Sequence, residues 1–139
     1  MFRPVLFFAL LLFLGCTDTV SKEDLNLLNG YWEIASVKFP DGQKKTYTVN
    51  PSIDYIELTE MQGFKKKVHP KFDGTYDTSN DAESFTIIEN KGVFIISYKN
   101  KLSAWEERLI KLENDSFQIV NEEHITYFYK RYEPINIGN

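Results

Sequence analysis

Cysteine and histidine, the side chains most often used in nucleophilic and metal chemistry, are scarce in this chain of 139 residues. Cys16 is the only cysteine, and His69 and His124 are the only histidines. A nucleophile needs a base beside it, and a zinc site needs several ligands at close spacing. The sequence has neither a Gly-x-Ser-x-Gly motif nor a histidine pair. It therefore predicts a protein that is not an enzyme, with no catalytic residues, no metal site and no cofactor.

Acidic side chains cluster once, in the polar segment 72–83 with the sequence FDGTYDTSNDAE. Asp73, Asp77, Asp81 and Glu83 carry oxygens suited to calcium, but their spacing departs from the EF-hand loop at its second, third and last ligands. We predict that this segment is a solvated loop at one rim of the fold. Catalysis by this loop is one functional hypothesis, with Asp77 as the residue to test. It is weaker than the two binding hypotheses given at the end of this subsection.

Two pairs of adjacent glutamates and one run of lysines are further candidates, for acid–base catalysis and for contact with a charged partner. Neighbouring side chains of a strand point to opposite faces, so Glu106–Glu107 and Glu122–Glu123 cannot share an acid–base task and are predicted to be surface charges. Lys65–Lys67 is predicted to guard a solvated edge strand, with contact to anionic lipid as the alternative.

The net charge of −4 argues against nucleic-acid binding, because phosphate backbones attract basic surfaces. Charged residues make up 26% and aromatic residues 15% of the chain, which is typical of one folded domain rather than a disordered tail. Among the functional classes considered, binding of another molecule is left. Such binding depends on the secondary-structure elements that position the apolar residues.

The N-terminus has the pattern of an export signal. Arg3 precedes Val5–Leu14, an unbroken apolar run. As a helix this run would rise about 15 Å, roughly half the thickness of the hydrocarbon core of a bilayer. We therefore predict a signal peptide over residues 1–15 rather than a membrane span.

Phe13–Cys16 resembles the bacterial lipobox, in which the cysteine thiol receives diacylglycerol and the signal is removed directly before it. The resemblance implies acyl chains, palmitate among them, on Cys16. The residues that follow, Thr17–Asp24, are polar and few, which predicts a lipidated cysteine and tether over residues 16–24. The expected partner at this end is therefore the membrane. Thr17 stands where inner-membrane retention usually shows aspartate, so the expected location is the outer membrane of the cell envelope, on its periplasmic or its surface face.

Beyond the tether the chain changes to strand periodicity. Leu25–Gly30 predicts one helical turn closed by glycine. Eight short segments then follow that are rich in β-branched and aromatic residues and often alternate, which predicts strands. They are Gly30–Phe39, Ile53–Thr59, Gly63–His69, Ser84–Glu89, Val93–Lys99, Leu102–Leu112, Ser116–Asn121 and His124–Glu133. Residues 44–49 could add a ninth.

Short turn sequences at Asn90–Gly92, Asn100–Lys101 and Asn114–Asp115 link the later strands. Such tight links force antiparallel neighbours, and a sheet that closes on itself avoids exposed edges. The sequence therefore predicts an all-β fold, a single antiparallel up-and-down barrel of about eight strands within residues 25–139.

Two features of this layout resemble the lipocalins. Gly30-Tyr31-Trp32 opens the first predicted strand and matches the Gly-x-Trp motif of that family, and Arg131 lies in the last strand. The resemblance implies a lipocalin-like barrel in which Trp32 closes the floor and Arg131 stacks over it. Independently, a guanidinium over an indole gains about 0.5–2 kcal/mol. The alternative is a core tryptophan and an unrelated surface arginine. The chain lacks the middle motifs and the cysteine pair of the lipocalins.

One face of each strand in such a barrel lines the lumen. The residues predicted to line it are Ile56, Leu58, Phe85, Ile87, Phe94, Ile96, Tyr98, Trp105, Phe117 and Ile119. The predicted function is non-covalent binding of a small hydrophobic ligand by a membrane-anchored lipoprotein. The alternative is a barrel filled by its own side chains, which binds another envelope protein through its loops or strand edges.

Overall fold

The computed structural model describes residues 19–134. The predicted signal peptide, Cys16 and Thr17 lie outside the described residues. Within residues 19–134, no helix combines the length and the apolar character needed to cross a bilayer.

A short 3₁₀ helix, Lys22–Leu28, precedes nine strands in the described part of the chain. The strands are β1 (Gly30–Lys38), β2 (Lys44–Thr46), β3 (Ile53–Thr59), β4 (Gln62–Pro70), β5 (Tyr76–Asn90), β6 (Val93–Lys99), β7 (Ala104–Leu112), β8 (Ser116–Asn121) and β9 (Thr126–Arg131). The bounds of β3, β6 and β8 equal the predicted ones, because turn residues end these apolar runs sharply.

The strands from β3 to β9 pair with their neighbours in chain order, all antiparallel, and β9 returns to pair with β1. β1 also pairs with β3 through Gly30–Trp32 and with β2 through Ser36–Lys38. Eight strands therefore close a barrel, and β2 is an added strand beside β1. The predicted all-β, antiparallel up-and-down barrel is confirmed.

The prediction of a loop over residues 72–83 is wrong for most of that segment. β5 begins at Tyr76, which pairs with Pro70 at the end of β4. The turn is confined to the residues between these two, where Gly74 has a φ of +85°. Backbone pairing with β4 maintains the strand here although its side chains are polar.

The prediction that Lys65–Lys67 guards an edge strand is also wrong, because β4 is paired on both sides. Lys65 and Lys67 stand opposite Ile56 and Asp54 of β3, whose side chains are buried. Because directly paired residues of neighbouring strands point to the same face of a sheet, these two lysines belong to the inner face of the barrel.

The core fills the inside of the barrel. Alternate residues are buried along the strands, as Phe94, Ile96 and Tyr98 are on β6. Leu25 and Leu28 of the 3₁₀ helix belong to the same apolar cluster. The helix therefore plugs one end of the barrel, and we call this end, with Trp32 and Arg131, the floor.

The prediction that Glu106–Glu107 consists of surface charges is wrong for one member. Glu107 is only 9% exposed. Alternation along β7 places it on the inner face with Leu109 and leaves Glu106 exposed outside. The barrel thus contains a carboxylate that its composition gives no reason to expect.

Candidate functional site

Trp32 lies at the floor and is completely buried. Its indole Nε1 donates a hydrogen bond of 2.8 Å to the carbonyl of Leu28, which ties β1 to the 3₁₀ helix. Phe117 meets the indole edge-on, with 4.7 Å between ring centroids. Because a buried N–H without an acceptor is costly, the helix carbonyl fixes the orientation of Trp32.

Arg131 covers this indole, with its guanidinium carbon 3.8 Å from the ring centroid of Trp32. Its Nη1 donates to the carbonyl of Asn29 at 2.7 Å. Its Nη2 donates to the carbonyls of Leu27 at 2.9 Å and Asn114 at 2.8 Å. The last carbonyls of a helix have no partner within the helix. Arg131 satisfies them, and thereby joins β9, the 3₁₀ helix and the β7–β8 turn.

Gly30 makes room for the guanidinium. Its φ is +122°, a conformation that L side chains rarely adopt. A Cβ at this position would lie 2.7 Å from Nη1 of Arg131. The glycine of the Gly-x-Trp motif is therefore needed twice, for the backbone conformation and for the approach of the arginine.

A cavity of about 10 Å³ lies inside the barrel, next to the floor, which is room for about one water molecule. Its wall consists of Leu28, Ile56, Lys65, Phe85, Ile96, Tyr98, Glu107, Phe117, Ile119 and Tyr129. Most of these side chains are aliphatic or aromatic, and two are charged. As is usual for eight strands, the interior is largely filled by its own side chains.

Glu107 is the one acidic residue in this wall, and its Oε2 has no hydrogen-bond partner among the described residues. Burial raises the pKa of Glu107. The Lys65 ammonium lowers that pKa, whereas Asp54 and Glu83 raise it further. A buried carboxylate oxygen without a partner destabilises a fold, so Glu107 is present at a cost in stability.

Lys65 is the one cationic residue in the wall. Its side chain is half-buried, and its Nζ lies 5.0 Å from the centroid of the Tyr98 ring. Within the described part of the chain Lys65 forms no ion pair. Lys67 differs, since its Nζ lies 2.8 Å from Oδ1 of the buried Asp54, although the angles are not those of a hydrogen bond.

Two phenols, those of Tyr98 and Tyr129, are also buried inside the barrel. Burial raises the pKa of Tyr98 and of Tyr129. Nearby carboxylates, those of Glu107 and Asp54 among them, raise both pKa values further. Both effects favour the protonated, neutral form of these phenols.

The family follows from a sequence comparison. Residues 28–119 match a family model described as a lipocalin-like domain. The chain belongs to the lipocalin-like domain family. A solved lipocalin-like protein from Bacteroides uniformis ATCC 8492 is similar at 11% sequence identity and a TM-score of 0.48, over 76% of this chain and 99% of that chain. No curated protein matches the sequence.

Six of the ten residues predicted to line the lumen of the lipocalin-like barrel lie in the cavity wall. They are Ile56, Phe85, Ile96, Tyr98, Phe117 and Ile119. Leu58, Ile87 and Phe94 are buried in the surrounding core instead. Trp105 is half-buried, and its ring stacks on that of Tyr98 at 5.1 Å.

Sequence reasoning misses four residues of the wall: Leu28, Lys65, Glu107 and Tyr129. For Lys65 and Glu107, which are charged, the sequence predicts solvated positions. The alternation Trp105, Glu107, Leu109 could have placed the glutamate inside, since two apolar residues flank it on one face.

The acidic residues of segment 72–83 do not converge on a common point. Asp73 accepts a hydrogen bond of 2.6 Å from the hydroxyl of Thr75, and Asp77 pairs with Lys71 at 2.9 Å. Throughout residues 19–134, no group of three histidine, cysteine, aspartate or glutamate side chains is arranged to hold a metal ion. His69 and His124 are both exposed.

A second group of aromatic residues lies on the outer face of the barrel. Tyr31 stacks on Tyr76 with 4.5 Å between centroids and lies 4.9 Å from Tyr55. Tyr132 meets Tyr76 at 6.4 Å. All four rings are half-buried. We call them the outer tyrosine cluster, and they attach the start of β5 to the wall formed by β1 and β3.

Proposed function

We propose that this lipocalin-like protein is a membrane-anchored lipoprotein that binds a small hydrophobic ligand non-covalently inside its barrel. The cavity wall carries the proposal, because it surrounds one buried carboxylate, with an unpaired oxygen, by apolar and aromatic side chains. Ligand sites combine apolar walls with a few polar groups that orient the ligand. A core that serves stability alone normally pairs its buried polar atoms.

The cavity must widen to admit a ligand, because its present volume suits about one water molecule. Lys65 is the wall residue best able to move. Its side chain is long, half-buried and without an ion pair in the described structure. Rotation of this side chain into solvent breaks no salt bridge. It gives up the contact with the Tyr98 ring and removes one side chain from the cavity wall.

The proposed anchor is an acylated Cys16 in the outer membrane. The 3₁₀ helix begins at Lys22, inside the predicted tether over residues 16–24. The helix lies in the floor, and the six residues 16–21 that precede it can span at most about 20 Å. The floor would therefore face the anchoring membrane. Replacing Cys16 by serine should move the protein from the membrane to the soluble fraction, and its retention in the membrane fraction would contradict the proposed anchor.

Native mass spectrometry tests the ligand site. The chain from Thr17 onward contains every described contact, and we would incubate it with a lipid extract. We expect adducts of several hundred daltons. They should disappear in Ile96→Phe, which fills the cavity, and persist in Ile95→Phe, whose side chain lies on the other face of β6. Circular dichroism would establish that both variants are folded. Equal loss or equal retention in the two variants would contradict binding in the lumen.

A second candidate function is a filled barrel that binds another envelope protein through its outer surface. The small cavity favours it, and the outer tyrosine cluster supplies aromatic surface of the kind found at protein interfaces. This candidate predicts an adduct-free spectrum for the unmodified chain. It also predicts that a cross-linked envelope partner is lost in Tyr55→Ser and retained in Ile96→Phe.

A further inference from the structure

The two charged residues of the cavity wall form an incomplete pair. Lys65 is close enough to Glu107 to lower the pKa of that carboxyl, yet the two form no ion pair in the described structure. Oε2 of Glu107 is left without a hydrogen-bond partner. The carboxylate therefore has a nearby positive charge but no donor that contacts it.

Widening of the cavity makes this imbalance larger. If Lys65 rotates into solvent, its ammonium leaves the interior while Glu107 stays buried. Asp54 keeps its ion pair with Lys67, so the imbalance falls on Glu107. A buried carboxylate without a cation is strongly destabilising. A bound molecule that brings its own positive charge would replace the ammonium and also supply the donor that Oε2 lacks.

The surrounding charges favour the same kind of ligand. Asp54 already pairs with Lys67, whereas Glu107 lies in the cavity wall with an oxygen that has no partner in the described structure, so a cation entering the lumen is attracted to Glu107. A ligand carboxylate would meet Glu107 across an apolar cavity, where like charges repel strongly. An uncharged ligand would leave the carboxylate without its counterion.

We infer that the ligand is a small apolar molecule with one protonated amino group, which binds the carboxylate of Glu107 in place of the Lys65 ammonium. This inference rests on the proposed function and specifies the chemical class of the ligand. The alkyl part packs against the aliphatic and aromatic wall, including Ile56, Ile96 and Ile119. The ammonium donates to Oε2 of Glu107.

Three probes with the same alkyl chain test the inference: octylamine, octanol and octanoate. Isothermal titration calorimetry would measure their affinities for the chain from Thr17 onward. We expect octylamine to bind tightest. Glu107→Gln should weaken octylamine by about tenfold, the loss expected for a hydrogen bond to a charged group, and leave octanol unchanged. Glu106→Gln is the matched control, since that carboxylate is the neighbouring one and lies outside.

The variant Lys65→Ala distinguishes an amine ligand from a carboxylate ligand. Because this change removes a competing ammonium, we expect octylamine to bind about threefold tighter and octanoate no better. If Lys65 were itself the anchor of an acidic ligand, the same variant would lose octanoate binding.

The possible outcomes separate the two proposals. If neither the lipid extract nor any of the three probes binds, the proposed function fails and the inference fails with it. If the extract gives adducts and octylamine does not bind, the inference alone is overturned. If octanol or octanoate binds as tightly as octylamine, or if Glu107→Gln leaves octylamine affinity unchanged in a folded protein, the lumen binds ligands and the amine inference alone is overturned.

Discussion

The polar side chains at the floor of the barrel are hydrogen-bonded, whereas two charged side chains in the wall of the neighbouring cavity are incompletely paired. At the floor, Trp32 and Arg131 donate hydrogen bonds to backbone carbonyls, and the side-chain Oδ1 of Asn29 accepts from the backbone N–H of Leu58. In the cavity wall, Glu107 keeps an oxygen without a partner and Lys65 has no ion pair in the described structure.

The difference indicates that the floor contributes stability and that the cavity wall is suited to binding. Paired polar groups at the floor stabilise the barrel and hold the 3₁₀ helix in place. Unpaired charges in the wall lower stability, and proteins often retain such groups at sites that bind or react. Changes at the floor should therefore destabilise the fold, whereas changes at Glu107 should stabilise it and weaken binding.

Arg131→Ala should have the largest effect. It removes the donors to the carbonyls of Leu27, Asn29 and Asn114, together with the contact to Trp32. We expect a loss of about 2–4 kcal/mol in the free energy of unfolding, measured by urea denaturation. Arg131→Lys should recover only part of the loss, because one ammonium cannot reach three carbonyls in the planar geometry of a guanidinium. Full recovery with lysine would show that charge alone matters here.

Gly30→Ala should cost less, about 1–3 kcal/mol, from its unfavourable backbone conformation and from the contact with Arg131. Gly42→Ala is the matched control. Gly42 also has a positive φ, of +90°, but no atom lies within 4 Å of a Cβ built there. In the Arg131→Ala background the penalty at Gly30 should fall towards that at Gly42. An undiminished penalty would mean that the arginine is not what the glycine accommodates.

Glu107→Leu should raise the free energy of unfolding by about 1–3 kcal/mol, because it replaces an unpaired buried polar group by an apolar one. Glu106→Leu, on the outer face of the same strand, should change stability by less than about 0.5 kcal/mol. Urea denaturation of both variants gives the comparison. A loss of stability in Glu107→Leu would indicate that the carboxylate has a structural partner.

The smallest effect concerns pH. Because burial raises the pKa of Glu107, the folded protein holds this proton at pH values where the unfolded chain has released it. The penalty from Glu107 is therefore absent at low pH, grows as the pH rises from the ordinary carboxyl range through the raised pKa, and persists above it. Unfolding free energies between about pH 4 and pH 8 should thus decline more in the unmodified protein than in Glu107→Gln. Parallel profiles would contradict a buried, titrating Glu107.

The barrel could be predicted because the sequence features that define its strands and turns lie within short segments. Alternating apolar residues and short Asn- or Gly-containing turns define most of the strands, and tight turns force antiparallel order. β5 could not be predicted in full, because its first residues are polar and the strand is maintained there by pairing with β4. The partners are close in sequence, since Tyr76 pairs with Pro70 and Asp77 with His69, but backbone pairing between polar residues produces no alternation of apolar residues from which a strand could be predicted.

The site was predictable only in its apolar part. Residues such as Ile96 and Phe117 alternate with exposed neighbours, so their burial follows from the strand period. The inward positions of Lys65 and Glu107 could not be predicted from composition, because charged residues are normally exposed. Their inward position follows from register, since Lys65 stands opposite Ile56 and Glu107 opposite Ile96.

The central claim is that a ligand binds inside the barrel, beside Glu107. Methyl NMR of the isoleucines in the presence of octylamine tests it most directly, because the barrel has isoleucines on both faces. We predict intermolecular NOEs from the alkyl chain to Ile56, Ile96 and Ile119 of the cavity wall, and none to Ile88 and Ile95 outside. NOEs confined to the outer isoleucines, or absent from all five at saturating octylamine, would contradict the account.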